Sequence, residues 1–407
     1  MHWRTICCWL ALVATASAQP KGYEKEVAVS AAGRIDCVFP LANQSPAQLP
    51  GEWTPDYAAS EQTYECYVPP RVKPKTPAGL ILFISPGDRG TGFENFRKVC
   101  DESGMIYASP HAAGNECETR RRVRIVVDVL DDLRHKHEID PARTWIGGFS
   151  GGARIACSIA FALPEYFGGV IPVCAAGDLR MESWLRHRVV DRLAVAHLTG
   201  ETDFNRAEVE RFRSPALADF GVRSRVWVIP RLGHAIPRAD EMGPVAKWLD
   251  ESLAERRKFG KTFPAGRADK VLSREEHAAA LFREATGRMK SPDQFYAGLM
   301  QMKGVLDRWP DLPEAAKARE ILLKQEEKPE HNWEEQDIAE QRRFVAARAR
   351  GLSAYALGDL PQQYRAQRGE MARAALELWK ALQEDAQDAK LTAEADKVVP
   401  QLEAILK

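Results

Sequence analysis

A pentapeptide with a serine at its centre is the strongest chemical signal in the sequence. Gly148-Phe149-Ser150-Gly151-Gly152 matches the pattern G-x-S-x-G. It follows an apolar run over residues 143–149 that is typical of a buried strand, and it opens a helical pattern over 151–163. A serine on such a sharp strand-to-helix turn has its hydroxyl lifted clear of the sheet. We predict that Ser150 is a nucleophile; the alternative is a glycine-rich turn with an inert serine.

A serine hydroxyl needs a base and an orienting acid, and in this arrangement the chain order is Ser, then Asp or Glu, then His. Asp203 follows the apolar run 193–199, and His234 follows the run 225–230. We predict Asp203 as the acid and His234 as the base. The alternatives are a helix N-cap for Asp203 and a surface-loop residue for His234, with Asp178 as the other candidate acid.

One further histidine, His197, lies inside the run 193–199 and is expected to pack in the interior.

Acyl transfer also requires hydrogen-bond donors for an oxyanion. The Gly151 N–H lies at a predicted helix N-terminus, which suits a negative charge. A second donor is expected in the glycine-rich loop that follows the run 79–85, and we assign it to Asp88 or Arg89. The alternative for this loop is an ordinary glycine-rich turn.

The elements that must position these residues alternate in type from about residue 25 to residue 255. Predicted strands, rich in Val, Ile and aromatic residues, cover 79–85, 105–110, 143–149, 168–174, 193–199 and 225–230. Predicted helices cover 123–136, 151–163, 207–220 and 237–253. Strands alternating with helices predict an α/β domain with a mostly parallel sheet and helices on both faces.

The second half of the chain has a helical pattern without predicted strands. Residues 260–267 hold two glycines and a proline and are predicted to be a linker between a catalytic domain, 19–259, and an all-α domain, 268–407. Ser273 and Glu276 form a capping box at the start of the first helix. The helical pair that ends in Trp309-Pro310-Asp311 weakly resembles a tetratricopeptide hairpin. The sequence leaves open whether this domain binds a protein partner or a second copy of the chain.

Residues 1–18 have the pattern of a secretory signal peptide, with Arg4, an apolar stretch and Ala16-Ser17-Ala18 as a cleavage site. We therefore predict a secreted or periplasmic protein; the alternative is an uncleaved anchor. Six cysteines remain after cleavage, and export permits disulfides. We expect sequential pairing, with buried free thiols as the alternative. The six are Cys37, Cys66, Cys100, Cys117, Cys157 and Cys174.

Composition excludes several classes of protein. The 407 residues carry 57 Lys+Arg and 57 Asp+Glu, a net charge of zero, which argues against affinity for nucleic acid based on phosphate neutralisation. No apolar run after the N-terminus approaches the length of a membrane span, so stable membrane insertion is not expected.

The region around the serine resembles a known family. Residues 146–154 and 164–173 look like the nucleophile region of α/β-hydrolase esterases, closest to the secreted polyhydroxyalkanoate-depolymerase and feruloyl-esterase-like branch. The resemblance covers about residues 75–255 and implies an α/β-hydrolase fold with Ser150 as nucleophile, His234 as base and Asp203 as acid. The chain has Pro86-Gly87 where a His-Gly start is common in that branch, which weakens any transfer of the branch's substrate class to this chain.

The expected function is therefore a secreted serine hydrolase that cleaves small-molecule or polymer-borne carboxylic esters through an acyl-enzyme, with no metal or organic cofactor. Between residues 174 and 193 the chain has room for one short helix containing Trp184 and Leu185, which favours an open site over a large lid. The alternatives are a serine peptidase or acyltransferase with the same three residues, or a catalytically silent domain in an interaction protein.

Overall fold

The computed structural model describes residues 22–30, 54–179, 182–264, 272–330, 333–358 and 362–407. The predicted signal peptide, Cys37 and residues 265–267 of the predicted linker lie outside these ranges.

Within these ranges, eight strands form a single mixed sheet in the order β1-β2-β4-β3-β5-β6-β7-β8. The strands are β1 Tyr23–Ala28, β2 Thr63–Tyr67, β3 Ala78–Ile84, β4 Met105–Pro110, β5 Ile139–Phe149, β6 Gly169–Val173, β7 Ala194–Gly200 and β8 Arg223–Ile229. Strands β1 and β2 run antiparallel to their neighbours, and all pairs from β4 to β8 are parallel. The predicted α/β-hydrolase fold, a mostly parallel sheet followed by an all-α domain, is confirmed.

Helices cover both faces of this sheet. They are α1 Phe93–Ser103, α2 Thr119–Lys136, α3 Gly151–Ala162, α4 Ser183–Arg192, α5 Ser214–Asp219, α6 Ala239–Glu251 and α7 Leu253–Thr262. A π-helical turn, Glu208–Arg213, precedes α5. Because successive side chains of a strand point to opposite faces, Leu80 and Leu82 of β3 join the core under α2 and α3, whereas Ile81 and Phe83 join the core under α1 and α6.

The rest of the described chain is helical, as predicted. The helices are α8 Arg274–Arg288, α9 Phe295–Arg308, α10 Pro313–Glu326, α11 Glu334–Leu357, α12 Arg368–Asp385 and α13 Ala389–Leu406. Helix α8 begins with the predicted capping box, in which Ser273 Oγ accepts from the Glu276 N–H and the Glu276 carboxylate accepts from the Ser273 N–H. Helix α7 continues to Thr262, inside the predicted linker.

Helix α4 joins the two regions of the chain. Its Trp184 and Leu185 are buried in one apolar cluster with Leu281 of α8 and Met302 of α9. A Cβ at Gly304 of α9 would overlap the Trp184 ring, so the glycine permits close packing at this point. The helical domain therefore covers the one short helix that the sequence places between β6 and β7.

The predicted sequential disulfides are wrong for the described cysteines. Cys66, Cys100, Cys117, Cys157 and Cys174 are all free. The fold separates the predicted pairs, because Cys157 lies in the core under α3 and Cys174 in the core on the other face of the sheet. Cys100 is fully buried in α1, whereas Cys117 is half-exposed in the loop before α2. The partner predicted for Cys66, Cys37, lies outside the described residues.

Burial raises the pKa of the Cys157 thiol to about 12, which keeps it protonated and unreactive at neutral pH.

Within the described ranges, no helix has the length and apolar character that a membrane crossing requires.

Candidate active site

Ser150 occupies the turn between β5 and α3 in a strained backbone conformation. Its φ is 54° and its ψ is −117°, in the left-handed half of conformational space that side chains other than glycine rarely adopt. The glycines on either side make the turn possible. A Cβ at Gly148 would collide with the backbone of Gly152, and a Cβ at Gly152 would collide with the carbonyl of Ile84. Only a pattern with glycine at both positions can form this turn.

The structure brings Ser150, His234 and Asp203 into one hydrogen-bonded series. His234 Nε2 lies 3.0 Å from Ser150 Oγ, and His234 Nδ1 lies 2.8 Å from Asp203 Oδ1. Asp203 comes three residues after the end of β7, and His234 lies in the loop after β8. An ionised carboxylate only accepts hydrogen bonds, so Nδ1 carries the proton and Nε2 is left to accept from the serine hydroxyl.

Asp203 is held in place by two groups that sequence reasoning missed. The Thr199 hydroxyl donates to Asp203 Oδ2 at 2.8 Å, and the Asn205 N–H donates to Oδ1 at 3.0 Å. The Asn205 side chain also donates to the Cys174 carbonyl at 2.9 Å, which ties the loop after β7 to the loop after β6. The local signal for the Asn205 contact is Asp203 itself, because an aspartate side chain in a turn often accepts a hydrogen bond from the backbone N–H two residues further along the chain.

The Cys174 thiol adjoins this group and is not a reactive centre. Its ligand-forming atom and those of Asp203 and His234 all lie within 4.8 Å of one another. Burial, reinforced by the neighbouring Asp203 carboxylate, raises the pKa of Cys174 to about 12. The thiol therefore stays protonated, and it donates to the Ala235 carbonyl at 3.4 Å.

Two aromatic rings enclose the His234 imidazole. Phe204 stacks on it with centroids 4.1 Å apart and planes at 26°, and Phe149 contacts it at 4.8 Å and 43°. Phe204 itself is 54% exposed, so it presents an apolar face at the mouth of the site. These contacts restrict rotation of the imidazole.

The loop after β3 contains the two predicted oxyanion donors, the backbone N–H groups of Asp88 and Arg89. The Gly87 N–H is engaged by Ser85 Oγ at 3.1 Å. Within the described chain, neither the Asp88 N–H nor the Arg89 N–H donates to another group. The Asp88 carbonyl accepts from the Ala112 N–H at 2.8 Å, and the Arg89 side chain pairs with Glu26 at 2.8 Å.

Asn115 connects this loop to the serine turn, and the sequence analysis did not single it out. Its N–H donates to the Pro86 carbonyl at 2.8 Å, and its side-chain amide lies against Gly151, where a Cβ would overlap it. Arg122 fixes the orientation of that amide by donating to Asn115 Oδ1 at 3.1 Å and to the Ser85 carbonyl at 2.9 Å. Asn115 Oδ1 is the amide atom closest to the position that a Cβ on Gly151 would take, and Nδ2 lies 3.1 Å from that position. Within the described ranges the NH₂ group has no acceptor, so it is the end of the amide that remains able to donate.

The other candidates lie elsewhere. Asp178 is exposed and pairs with Arg213, not with His234. His197 is fully buried in β7, as expected, and within the described chain neither ring nitrogen has a hydrogen-bond partner. Burial lowers its pKa to about 3, so it is neutral at physiological pH.

No protein-family model matches this sequence, and a search of curated proteins finds no match. Among solved structures, a thermostable esterase is similar at 20% identity and a TM-score of 0.35, over 49% of this chain and 59% of the esterase. An S-formylglutathione hydrolase from Staphylococcus aureus is similar at 12% identity and a TM-score of 0.37, over 47% of this chain and 92% of that one.

A feruloyl esterase module from Clostridium thermocellum is similar at 14% identity and a TM-score of 0.35, over 48% of this chain and 82% of the module. The chain thus spans less than two thirds of the first of these three structures.

Proposed function

We propose that this protein is a serine hydrolase that cleaves carboxylic esters through an acyl-enzyme intermediate. The observation that carries the proposal is the hydrogen-bonded series from Ser150 Oγ through His234 to Asp203. A hydroxyl next to a neutral imidazole nitrogen, with a buried carboxylate on the far side of the ring, is the arrangement that converts serine into a nucleophile.

In the proposed first step, Ser150 Oγ attacks the ester carbonyl while His234 Nε2 takes the hydroxyl proton. Asp203 stabilises the imidazolium through the Nδ1–H hydrogen bond that it already accepts. The protonated imidazole then gives its proton to the departing alcohol, and the acyl group remains on the serine. Water attacks the acyl-enzyme by the same route in reverse and restores the free hydroxyl.

The negative charge on the carbonyl oxygen needs donors that are already in place. The Gly151 N–H at the start of α3 is one, and the free N–H of Asp88 or Arg89 is the proposed second. The side-chain NH₂ of Asn115, beside Gly151, adds a third candidate. Removing one such donor typically raises the barrier by about 3 kcal/mol.

The substrate proposed is a soluble or polymer-borne ester rather than an aggregated lipid. Helix α4, where a lid would be inserted, is short, and its apolar residues Trp184 and Leu185 are buried beneath the helical domain. Such a helix is not free to open at a lipid surface. Faster turnover of 4-nitrophenyl acetate in solution than of a long-chain ester in micelles supports this; strong micellar activation with little soluble turnover contradicts it.

A fluorophosphonate probe tests the chemistry on the full chain. Wild-type protein should be labelled at one serine, and Ser150→Ala should lose the label. Ser158→Ala, which changes an exposed serine on α3, is the matched control and should retain the label. An unlabelled wild-type protein would mean a catalytically silent domain. Assays with amides and with alcohol acceptors separate an esterase from a peptidase or an acyltransferase.

We also propose that the protein is exported with loss of residues 1–18, as the N-terminal pattern indicates. Sequencing the N-terminus of protein recovered outside the cytoplasm should find Gln19 first. Retention of Met1 on membrane-bound protein would indicate the uncleaved anchor instead.

A further inference from the structure

An apolar cavity of about 460 Å³ lies where the catalytic domain meets the helical domain. Its aromatic walls come from both domains. Phe212 of the segment after Asp203 stacks on Tyr355 of α11 with centroids 3.6 Å apart, and Phe220 faces Phe344 of α11 at 5.7 Å. A cavity of this size, with mostly apolar walls and few polar groups, has the character of a small-molecule site.

Among the described residues, three charged side chains line the cavity, and their charges sum to +1: Asp178, Arg213 and Arg348. Arg213 pairs with Asp178. Arg348 of α11 is exposed, and no acidic group in the described part of the chain forms an ion pair with it. One positive charge at the cavity is therefore available to an anionic group of a ligand.

The cavity lies against α3, the helix that begins directly after Ser150. Gly177, one of the lining residues, is so close to α3 that a Cβ there would lie 2.6 Å from the Cβ of Cys157. An ion-pair chain makes a second connection. Arg154 of α3 pairs with the buried Glu208 at 2.6 Å, and Glu208 lies 3.9 Å from Arg213 at the cavity wall.

A short chain segment separates the cavity from the catalytic group. Asp178 at the cavity is four residues along the chain from Cys174, whose thiol lies within 4.8 Å of the Asp203 and His234 ligand atoms. Four residues span at most about 14 Å. A substrate that binds at Ser150 and also fills the cavity must cover this span.

We propose that this cavity is a subsite of the ester hydrolase and holds an aromatic group of the substrate that bears an anionic substituent. The inference rests on the proposed function and adds the substrate class. It also gives the helical domain a role, because α11 supplies one wall of the subsite and the side chain of Arg348.

Gly351 of α11 allows the cavity to be filled without disturbing its walls. It lines the cavity, and a Cβ there would meet no atom within 4 Å. Gly243 of α6 has equally open surroundings and does not line the cavity, so Gly243→Phe is the matched control for Gly351→Phe. Both changes remove a glycine from a helix interior and should not weaken the fold.

Binding is measured first, without turnover, by titration calorimetry of 2-naphthoate into full-length Ser150→Ala protein. Saturable binding is expected, weakened by at least about tenfold when Gly351→Phe is added and unchanged by Gly243→Phe. Arg348→Glu should weaken naphthoate binding and leave binding of the neutral 2-naphthol in place. Absence of naphthoate binding, or equal loss with the two phenylalanine variants, overturns the proposal.

Kinetics then test whether the site serves the reaction. Gly351→Phe should raise KM for a 4-nitrophenyl ester whose acyl chain ends in a naphthalene carboxylate and leave KM for 4-nitrophenyl acetate unchanged. Naphthoate binding that is lost in Gly351→Phe, with both KM values unaltered, overturns the subsite assignment. If the wild type lacks both fluorophosphonate labelling and ester turnover, the proposed function itself has failed, whatever the binding result.

Discussion

His277 of the helical domain donates a hydrogen bond from Nε2 to Glu165 Oε1 of the catalytic domain at 2.6 Å, with both side chains buried. Arg188 of α4 approaches the other oxygen of the same carboxylate at 2.8 Å. Burial alone would raise the pKa of Glu165, but the charge of Arg188 and the hydrogen bond with His277 hold it well below its usual range. The two domains are thus joined through a buried, ionised carboxylate.

Replacing that carboxylate should destabilise the whole chain. Glu165→Leu leaves Arg188 buried without its counter-charge, and breaking a buried pair from one side typically costs about 3–5 kcal/mol. Glu320→Leu is the control, because Glu320 pairs with Lys324 at the same 2.6 Å but in solvent, and no measurable change is expected. Urea unfolding of the two variants compares them; equal midpoints would contradict the buried-pair argument.

Acidification should weaken the fold below pH 4.5. The pKa of Glu165 is lower in the folded chain than the 4.5 expected when unfolded, and the pKa of the buried Glu284 is lowered in the same direction. Burial by itself would raise the pKa of Glu284, but the positive charges of three arginines lower it by more. These are Arg192, Arg188 and Arg288. A carboxyl group whose pKa is lowered by folding stabilises the folded state fully at any pH above its pKa in the unfolded chain. That stabilisation is lost as the pH falls through its pKa in the folded chain. Urea midpoints measured from pH 6 to pH 3 should fall steeply below pH 4.5, and less steeply in Glu165→Gln.

His197 should make the unfolding free energy depend on pH in a higher range than the two carboxyl groups do. Its pKa is about 3 in the folded chain because of burial and 6.5 when unfolded, so the unfolded state takes up the proton first as pH falls. The unfolding free energy should decrease below pH 6.5 by up to about 1.4 kcal/mol per pH unit. His197→Leu should reduce this slope, and the remainder should come from His111, His137 and His187, whose pKa values burial also lowers. His135→Leu, at an exposed histidine, should leave the slope unchanged. A wild-type stability that is constant from pH 7 to pH 5 would rule this out.

The acid of the proposed catalytic group can be identified by comparing two aspartates. Asp203→Asn should lower kcat for 4-nitrophenyl acetate by about 10⁴-fold, because the amide favours the wrong imidazole tautomer. Asp178→Asn should change it little, since Asp178 pairs with Arg213 instead. Comparable losses in the two variants would contradict the assignment of Asp203.

Asn115 offers a test of the oxyanion site. Asn115→Ala removes the amide that lies against Gly151 and should lower kcat by roughly 10²-fold with little change in KM, as expected for a group that acts on the transition state. Asn115→Asp should be more damaging, because a carboxylate repels the developing negative charge. A change confined to KM, or no change, would mean that Asn115 has no part in stabilising the oxyanion.

Much of the fold could be predicted because its causes are local. Apolar runs bounded by glycine and proline predict strands, and helical spacing between them predicts the crossovers of a parallel sheet. Gly148 and Gly152 are needed because a side chain at either position would collide with backbone atoms a few residues away or on the neighbouring strand. The turn around Ser150 could therefore be predicted from the sequence. The positions of Asp203 and His234 after successive strands followed from the same alternation.

Contacts between distant segments could not be read in this way. Asn115 gives no local signal of its place beside Gly151, and Glu165 gives none of its hydrogen bond with His277, since each pair meets only after the chain has folded. The cysteine pairing failed for the same reason, because spacing along the chain does not show that the sheet lies between Cys157 and Cys174.

The sequence by itself thus determined the elements, the strained serine turn and the loops that hold the other two residues, because these depend on neighbours in the chain. Only the tertiary structure decided which groups orient the acid, how the helical domain docks on α4, and that a cavity forms between them. Those features depend on side chains far apart in sequence packing against one another.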